Sequence, residues 1–397
     1  MRLARHESWR ASNLERLLRS ARNDNAKQIR MGEDFRQRSW RIRQCLWRKG
    51  GVMMMMRVGI VGAGLQAKRR APVFSQTKDA KLVVISAERE AHARELASQF
   101  GCESAEGWKW VGERKDLDAI LVCTPPDLHE SISVLAMQTG KHVLCEKPLA
   151  RTLEECETML RVSKETGKVL KCGFNHRHHP AVLEARRQVD QGKIGRLLFA
   201  RSRYGIIGEP GREKEWRADP KRAAGGHLME QGIHVVDLSR WFLGEFEHVA
   251  CFRAAQYWPL GELEDNAFMM MRARDGKMAS VHTSLLQWKN LFSFEIYGEE
   301  GYLEVEGLGG SYGTEKLHYC PKKYFQPFEV STTEYRGGDK SWLLEWNEFT
   351  AAIREARAPL GSAEDGLEAM RLVLDAYRFS DEMTGKPVRP QDCKWSS

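Results

Sequence analysis

The stretch Arg57–Ala67, RVGIVGAGLQA, decides the fold. Within it, Val58–Val61 is a short apolar run with β-branched residues, which is typical of a buried parallel strand. The run leads into a turn in which Gly62 permits a tight bend and Gly64 lets a pyrophosphate approach bare backbone. A small Ala67 then lets the next helix, whose first amide groups favour phosphate, pack close to the strand. The stretch predicts a dinucleotide-binding unit, although a strand-to-helix turn without a ligand has the same pattern.

Strands and helices alternate after this turn. Apolar runs predict strands at 81–86, 117–123, 142–145 and 169–173, and helical spacing of Ala and Leu predicts helices between them. Repeated βα units form a parallel sheet covered by helices, and ligands bind at the carboxyl edge of such a sheet. We therefore expect an α/β, Rossmann-type domain over residues 57–175.

The pattern changes after this domain. Short strands with alternating polar and apolar residues are separated by Gly-containing turns such as 275–276 and 298–301, and one helix is predicted over 227–242. These features predict an α+β domain over residues 176–397 with a large, open, mostly antiparallel sheet. Two further helices are predicted near its end, at 342–357 and 363–384.

The basic charge of the chain is confined to its first segment. Residues 1–50 hold 14 Lys or Arg against 5 Asp or Glu, whereas the net charge of the whole chain is +8. The remainder is therefore close to neutral, which argues against a nucleic-acid partner for the folded body. The segment 1–56 ends in four methionines. We expect it to be sequence upstream of the true start or a disordered basic arm, with a transit peptide as a third alternative.

The remaining composition narrows the class of protein and its compartment. Nine cysteines occur without a CxxC pair, which favours reduced thiols over a disulfide framework or a zinc site. No apolar run approaches the ~18 residues of a membrane span, and no signal-peptide core is present. We expect a cytoplasmic protein with no membrane or nucleic-acid partner.

A second group of residues suited to chemistry follows the predicted strand 142–145. Glu146, Lys147 and Pro148 place a carboxylate and an ammonium at the carboxyl end of a strand, where burial is costly unless each charge has a task. Taken alone, the three residues are equally compatible with a solvated turn that carries a chance charge pair.

Five motifs together resemble one family. GAGLQA, TPPDLH, GKHVLCEKPLA, GFNHRHHP and GGHLMEQGIHVVDL occur in an order and spacing similar to the Gfo/Idh/MocA family, over residues 57 to about 390. The resemblance implies an NAD(P)-dependent oxidoreductase that transfers a hydride between nicotinamide and a secondary alcohol or ketone of a sugar, cyclitol or nucleotide-sugar. It also implies pairing through the second sheet into a homodimer or homotetramer. A catalytically silent dinucleotide sensor of the same fold is the alternative function.

The resemblance implies that Lys147 lies near the reacting carbon and that His234 is the acid–base histidine. Hydride transfer from a secondary alcohol requires the same two groups. An ammonium stabilises the developing alkoxide, and an imidazole with a pKa near ~6.5 accepts the hydroxyl proton. Glu230, at a position where the family often has Asp, precedes His234 by four residues. On a helix this spacing puts both side chains on one face. Glu230 is therefore expected to orient the imidazole, with Asp237 as an alternative partner.

The choice of cofactor depends on the end of the second strand. There Glu88 could accept the ribose hydroxyls of NAD, or Arg89 could pair with the 2′-phosphate of NADP. NAD is slightly favoured, with NADP close behind. The residues predicted to contact the cofactor are Gly62, Gly64, Leu65, Gln66, Ala67, Glu88, Thr124, Pro125, His129, Glu146 and Lys147.

Substrate contacts are predicted on both domains. Asn175 and Arg177 follow the last strand of the first domain and are expected at the nicotinamide or the substrate, with interdomain packing as the alternative. Flat aromatic and planar polar groups suit hydroxyl-rich rings, although an aromatic stripe on a sheet is more often core or subunit interface. The residues chosen on this ground are Trp216, Arg217, Gln287 and Trp288.

Two clusters of histidines in the sequence are candidate metal ligands. One is the run NHRHHP at residues 175–180, and the other combines His227 with Glu230 and His234. Neither has a recognised zinc spacing, and hydride transfer needs no metal. No metal site is predicted.

Overall fold

The computed structural model of the protein describes residues 55–384. The predicted extension over residues 1–56 therefore lies outside the described residues, except for its last two positions. None of the helices described is both long and apolar enough to cross a lipid bilayer.

Six strands form the first sheet, and all of its strand pairs are parallel. The strands are β1 (Met56–Val61), β2 (Ala80–Ala87), β3 (Glu103–Glu106), β4 (Ala119–Val122), β5 (His142–Cys145) and β6 (Leu170–Cys172). Their order, β3-β2-β1-β4-β5-β6, is that of a Rossmann fold and confirms the prediction. The sequence of β3, ESAE, has no apolar run, so hydrophobic periodicity does not reveal this edge strand.

Five helices connect these strands. They are α1 (Leu65–Arg70), α2 (Glu90–Phe100), α3 (Lys109–Glu113), α4 (His129–Gln138) and α5 (Leu153–Thr166). Capping explains the bounds of α5, because the Thr152 side chain accepts a hydrogen bond from the Glu155 amide and Gly167, with a φ of 65°, ends the helix. Gly101, with a φ of 59°, ends α2 in the same way.

Eight strands form the second sheet. They are β7 (Leu197–Ile207), β8 (Phe246–Ala254), β9 (Asn266–Ala273), β10 (Met278–Ser284), β11 (Leu286–Gly298), β12 (Gly301–Glu306), β13 (Glu315–Pro321) and β14 (Ser331–Tyr335). Their order is β14-β13-β12-β11-β7-β10-β9-β8, and β7 and β10 form the one parallel pair of this sheet. The other pairs are antiparallel, which confirms the mostly antiparallel sheet.

Helices cover one face of the second sheet. They are α6 (Pro180–Asp190), α7 (Ile233–Leu243) and α9 (Ala363–Thr384), which all contact its strands. The helix α8 (Ser341–Glu355) precedes α9 and packs elsewhere. The alternation of β9 fits this arrangement, since Ala267, Met269 and Met271 are buried while Phe268 and Met270 are exposed on the opposite face.

The last two helices return to the first sheet. The Cys172 amide in β6 donates a hydrogen bond of 3.0 Å to the Gly361 carbonyl oxygen, between α8 and α9. In addition, α8 contacts the short turn at Asn175–His178, and α9 contacts α5 and β6. The predicted boundary at residue 175 separates the two sheets, and the assignment of residues 176–397 to one domain stays a prediction.

A buried cluster of charges joins α1, the end of β5 and α8. Arg70 Nε is 2.6 Å from Glu146 Oε1, and Arg70 Nη1 is 2.8 Å from Glu345 Oε2. Lys171 Nζ lies 3.4 Å from Glu345 Oε1, the other oxygen of the same carboxylate. This is an ion pair without the geometry of a hydrogen bond. The two cations balance the two carboxylates, which limits the cost of burying them. The cluster thereby fixes Glu146, the first residue of the EKP segment.

Candidate active site

The predicted centres of chemistry share one cleft. It has a volume of about 1600 Å³ and is lined by the Gly62 turn, by Lys147, by His234 and by several residues of the segment 204–217. The cleft therefore lies at the carboxyl edge of the first sheet, where parallel sheets bind ligands, and reaches the second domain.

The glycine turn has the shape that a dinucleotide needs. Gly62 has a φ of 102°, and a Cβ atom there would lie 2.6 Å from the Cys123 carbonyl oxygen. A Cβ atom on Gly64 would meet no atom within 4 Å, so the bare backbone leaves room for a pyrophosphate. Gln66 Oε1 and Thr124 Oγ1 are buried without a hydrogen-bond partner among the described residues, and both residues line the cleft. Unpaired polar atoms beside an open turn fit a nicotinamide dinucleotide, which offers partners for both.

Most of the predicted cofactor contacts line this part of the cleft. The strand β2 ends at Ala87, and the exposed residues Glu88 and Arg89 follow it into the cleft side by side. This geometry accommodates NAD through Glu88 and NADP through Arg89, so the slight preference for NAD stays a prediction. The predicted residues that line the cleft are Gly62, Gly64, Leu65, Gln66, Glu88, Thr124, Pro125, Glu146 and Lys147.

Two predicted cofactor contacts lie behind the cleft wall. Ala67 is fully buried in α1, where its small side chain allows close packing on the sheet. His129 is 1% exposed, with Nδ1 2.9 Å from the Pro148 oxygen and Nε2 2.8 Å from the Thr124 oxygen. His129 therefore ties two cleft loops together. Burial lowers the pKa of His129, so the ring is neutral and donates a hydrogen bond to one of the two carbonyl oxygens. Because His129 is buried and does not line the cleft, its contact with the cofactor stays a prediction that the geometry does not support.

Lys147 extends from the EKP segment toward the second domain. Its ammonium donates a hydrogen bond to the main-chain oxygen of Glu230. Burial lowers the pKa of Lys147 from its ordinary value of 10.5, and the carboxylates of Glu230 and Glu146 oppose this shift. The cleft thus contains a desolvated ammonium held by the backbone of the other domain.

A π-helical turn at Leu228–Gly232 precedes α7 and changes the face on which Glu230 lies. Arg217 Nε is 2.6 Å from Glu230 Oε1, and Arg212 binds Oε2. Burial raises the pKa of Glu230, but the two guanidinium groups outweigh burial and lower this pKa to about 2. The prediction that Glu230 orients the His234 imidazole is therefore wrong, because the spacing rule assumes an α-helix and both carboxylate oxygens bind arginines.

His234 lies in the first turn of α7 and lines the cleft with 3% of its surface exposed. Its ring stacks on His176 with the centroids 3.7 Å apart and the planes inclined by 18°. Burial lowers the pKa of His234 well below its ordinary value of 6.5, and His176 and Lys147 lower it further. The imidazole is therefore neutral at neutral pH, which is the form that a general base needs.

Arg177 is a packing residue and does not line the cleft. Its guanidinium lies 2.6 Å from the Asp237 carboxylate and 3.1 Å from Asp365. These ion pairs tie the turn after β6 to α7 and α9. The prediction that Arg177 contacts the substrate is therefore wrong, and the packing alternative describes it. The same ion pair occupies Asp237, the alternative partner of His234.

The other predicted substrate residues divide between the cleft and the surface. Asn175, Trp216 and Arg217 line the cleft, whereas Gln287 and Trp288 do not. The last two lie near the start of β11, where its pairing with β7 is interrupted and Trp288 is 59% exposed. The structure places Gln287 outside the cleft lining, so its contact with a substrate stays a prediction that the geometry does not support.

Sequence reasoning missed several residues that line the cleft. The rings of Tyr204, in β7, and Tyr312, in the loop after β12, have their centroids 5.7 Å apart, and both residues line the cleft. Trp342 reaches the cleft from α8, and Arg212 from the segment after β7. A tyrosine in a strand that leads to the cleft is a usable signal for Tyr204. No local pattern marks Trp342, because its position depends on the return of the chain to the first sheet.

Among residues 55–384, no group of three or more His, Cys, Asp or Glu side chains is arranged to hold a metal ion. His176 is stacked on His234, and His179 pairs with Glu315 at 3.1 Å. His176 and His179 are thus engaged in ring and ion-pair contacts.

Family models match most of the described chain. A model described as an oxidoreductase family with an NAD-binding Rossmann fold matches residues 56–174. A model for the Gfo/Idh/MocA C-terminal domain matches residues 182–304.

Individual proteins with oxidoreductase names are also similar to this chain in sequence or in structure. An inositol 2-dehydrogenase from Rhizobium meliloti is 28% identical over 82% of this chain and 97% of its own length. A dTDP-3,4-didehydro-2,6-dideoxy-alpha-D-glucose 3-reductase from Actinomadura kijaniata is 32% identical over 81% of this chain and 95% of its own length. A solved levoglucosan dehydrogenase in complex with NADH and levoglucosan is 25% identical, and the match covers 83% of this chain and 98% of that chain with a TM-score of 0.75.

The substitution Gly64→Ala should weaken dinucleotide binding without a loss of stability. The new methyl group meets no protein atom within 4 Å, so we expect the melting temperature of the free protein to stay within about 2 °C. Because the methyl group occupies the path of the pyrophosphate, we expect the Kd for NADH or NADPH to rise about tenfold or more, as measured by titration calorimetry.

Gly338→Ala is the matched control, because its Cβ atom also meets nothing within 4 Å and residue 338 does not line the cleft. It should leave the melting temperature and the Kd unchanged. An unchanged Kd in Gly64→Ala would contradict the placement of the pyrophosphate at this turn.

Proposed function

The chain belongs to the Gfo/Idh/MocA family of NAD(P)-dependent oxidoreductases, and from this premise we propose how its cleft works. It interconverts the secondary alcohol and the ketone of a sugar, cyclitol or nucleotide-sugar, with Lys147 and His234 as its catalytic residues. The observation that supports this proposal is that both side chains line the cleft that begins at the Gly62 turn. The bound nicotinamide supplies the hydride acceptor in oxidation and the hydride donor in reduction. Nothing in the comparisons favours a catalytically silent sensor.

His234 exchanges the proton of the substrate hydroxyl group. Oxidation of a carbinol requires this proton to leave the oxygen, and a neutral imidazole accepts it. In reduction the protonated ring returns it to the ketone oxygen. The low pKa of His234, which is caused first by burial, makes the protonated ring a strong acid, so the proton is released readily.

Lys147 stabilises the negative charge that develops on the same substrate oxygen. The Glu230 main-chain oxygen accepts a hydrogen bond from one N–H group of the ammonium, which leaves two N–H groups for the substrate. A desolvated ammonium interacts more strongly with an alkoxide than a hydrated one does, because the surrounding dielectric is low. The lowered pKa of Lys147, due first to burial, also suits it to share a proton with that oxygen.

The walls around these two residues suit a hydroxyl-rich ring. Trp216 offers a flat aromatic face, and Tyr312 and Ser311 bring hydroxyl groups to the cleft. Asn175 also lines it and is held in place by a hydrogen bond of 2.9 Å from its Nδ2 atom to Ser341 Oγ. These features support a sugar or cyclitol substrate, and we propose that Trp216 and Asn175 bind it.

Lys147→Met and His234→Ala should each reduce turnover by about 10² or more, because each removes a group that interacts with the reacting oxygen. The Kd for the cofactor should stay within a few-fold of that of the parent enzyme. Initial rates at 340 nm and titration calorimetry measure the two quantities. Lys316→Met and His318→Ala, both in β13 and outside the cleft, are the matched controls and should retain the parent rate. An equal loss of cofactor binding in both cleft variants would count against the assigned roles.

The pH profile of alcohol oxidation follows from the two pKa shifts. His234 acts when neutral, and its pKa is well below 6.5, so kcat/KM falls only when the pH drops through a value below 6.5. Lys147 acts when protonated, and its pKa is below 10.5, so kcat/KM also falls as the pH rises through a value below 10.5. We expect a bell-shaped profile, with both limbs at lower pH than the ordinary pKa values of His and Lys predict. In Lys147→Arg, whose side chain stays charged, the alkaline limb should disappear, and a limb that persists would belong to another group.

We also propose that the protein is a homodimer or homotetramer that pairs through the open face of the second sheet. Phe252, Phe268, Met270 and Met278 are each 47–57% exposed on the adjacent strands β8, β9 and β10. Phe252 and Phe268 are register partners, so they lie side by side. A contiguous apolar patch of this kind is typical of an interface, and a two-fold dimer needs only one such surface.

The double substitution Phe268→Lys and Met270→Lys should separate the subunits, because it places two charges in an apolar contact. We expect light scattering after size exclusion to give a lower molecular mass than that of the parent protein. Trp110→Lys is the control, since Trp110 is 51% exposed in α3, away from the second sheet, and its mass should not change. An unchanged mass in the double variant would contradict pairing through this face.

We propose a cytoplasmic location on the basis of the cysteines. In the described chain seven cysteines are free thiols, and six of them are buried. Unpaired cysteines in a protein of this size favour a reducing compartment over a secreted one.

A further inference from the structure

His234 lacks the carboxylate partner that commonly orients an acid–base histidine. The carboxylates of Glu230 and Asp237 are both held by arginines. The His234 Nδ1 atom is buried and has no hydrogen-bond partner among the described residues. A hydrogen bond on that atom therefore does not fix the plane of the ring, and another contact must do so.

The face of His176 supplies this contact. The two ring centroids are 3.7 Å apart with an interplanar angle of 18°, and the two residues are 6% and 3% exposed. Phe174 packs edge-on against His234 with the centroids 6.0 Å apart. In such close packing the His234 ring cannot turn about its χ2 bond unless His176 moves.

His176 is itself held at both nitrogens. Asn175 donates through Nδ2 to Ser341 and therefore presents its side-chain oxygen to His176 Nδ1, 3.1 Å away. His176 Nδ1 thus donates a proton, and Nε2 accepts a hydrogen bond of 3.0 Å from the Tyr204 hydroxyl. These contacts assign His176 as a neutral ring in a single tautomer and orientation.

We propose that His176 is a positioning residue that orients the His234 imidazole by ring stacking, in place of a carboxylate. This inference rests on the proposed role of His234 in proton transfer. The contact differs from a carboxylate in one respect, because a neutral ring fixes the plane of its neighbour without stabilising a positive charge on it. His234 is then held in geometry for proton transfer while its neutral form stays favoured.

The charges around the two stacked rings also favour the neutral form of both histidines. Burial lowers the pKa of both histidines, and two stacked rings cannot both hold a proton without repulsion. The nearby cations disfavour the charged forms as well. The titratable side chains that face the pair from the surrounding elements are Lys147, Arg69, Arg70, His179 and Tyr204.

Three substitutions of His176 separate ring stacking from hydrogen bonding. His176→Phe keeps a flat ring but loses both hydrogen bonds, His176→Gln keeps polar ends but has no ring face, and His176→Ala has neither. We expect kcat to fall about tenfold or more in the Gln and Ala variants and to stay within about threefold in the Phe variant. KM and the Kd for the cofactor should stay near the parent values in all three variants, because the residues proposed to bind the substrate and the cofactor are unchanged, although His176 also lines the cleft.

A second readout needs neither turnover nor cofactor. In NMR spectra of the free protein labelled with ¹⁵N-histidine, the His234 ring signals are assigned by their loss in His234→Ala. We expect these signals to keep nearly the parent positions in the Phe variant. In the Gln variant they should shift or broaden, because the ring plane is no longer fixed.

His282→Ala is the matched control, since it removes an imidazole stacked on Phe268 with the centroids 4.1 Å apart, outside the cleft. It should leave kcat unchanged. A Gln variant with the parent kcat, or a Phe variant as impaired as the Ala variant, overturns the positioning role. Full activity of His234→Ala in the same assay would instead overturn the proposed function, so the two failures are distinguishable.

Discussion

The ion pairs of Arg70 with Glu146 and Glu345 are the interaction on which the site depends. They connect the helix after the glycine turn, the EKP segment and a helix near the C-terminus. Removing one partner from a buried ion pair leaves an uncompensated charge and costs about 3–5 kcal/mol, so the cofactor turn and the lysine segment would loosen together. Gly173 reflects the same constraint, because a Cβ atom there would lie 2.9 Å from Arg70 Nη2 and 3.1 Å from Glu146 Cα.

The extra methylene group of Glu230 has a specific structural result. The π-helical turn and the longer side chain place the carboxylate between Arg212 and Arg217, where it anchors the segment that lines the cleft after β7. The main-chain oxygen of the same residue holds the Lys147 ammonium. Glu230 therefore acts on the site twice, through its side chain on the cleft wall and through its backbone on the lysine, while the orientation of His234 is left to packing.

Much of the fold follows from local pattern, because strands such as β5 and helices such as α5 carry both the right periodicity and their own end signals. Lys147 follows a predicted strand and His234 lies within a predicted helix, but their roles came from the resemblance of the motifs around them and not from periodicity. Contacts between residues that lie far apart in the sequence could not be predicted in this way. His129 and Arg177 carry the side chains that a site needs, yet their partners, at Pro148 and Asp237, are chosen by tertiary packing. The strand β14 is polar throughout, and the π turn has no sequence signal, so neither could be predicted by periodicity.

The position of Glu345 in the chain has a consequence for synthesis. Arg70, Glu146 and Lys171 all leave the ribosome well before Glu345 does, and domains fold from the N-terminus as they emerge. During that interval the newly made Rossmann sheet holds the two cations Arg70 and Lys171 but only one carboxylate, Glu146, at a position that is buried in the folded protein. We therefore expect this part of the nascent chain to stay hydrated until α8, which carries Glu345, has been made.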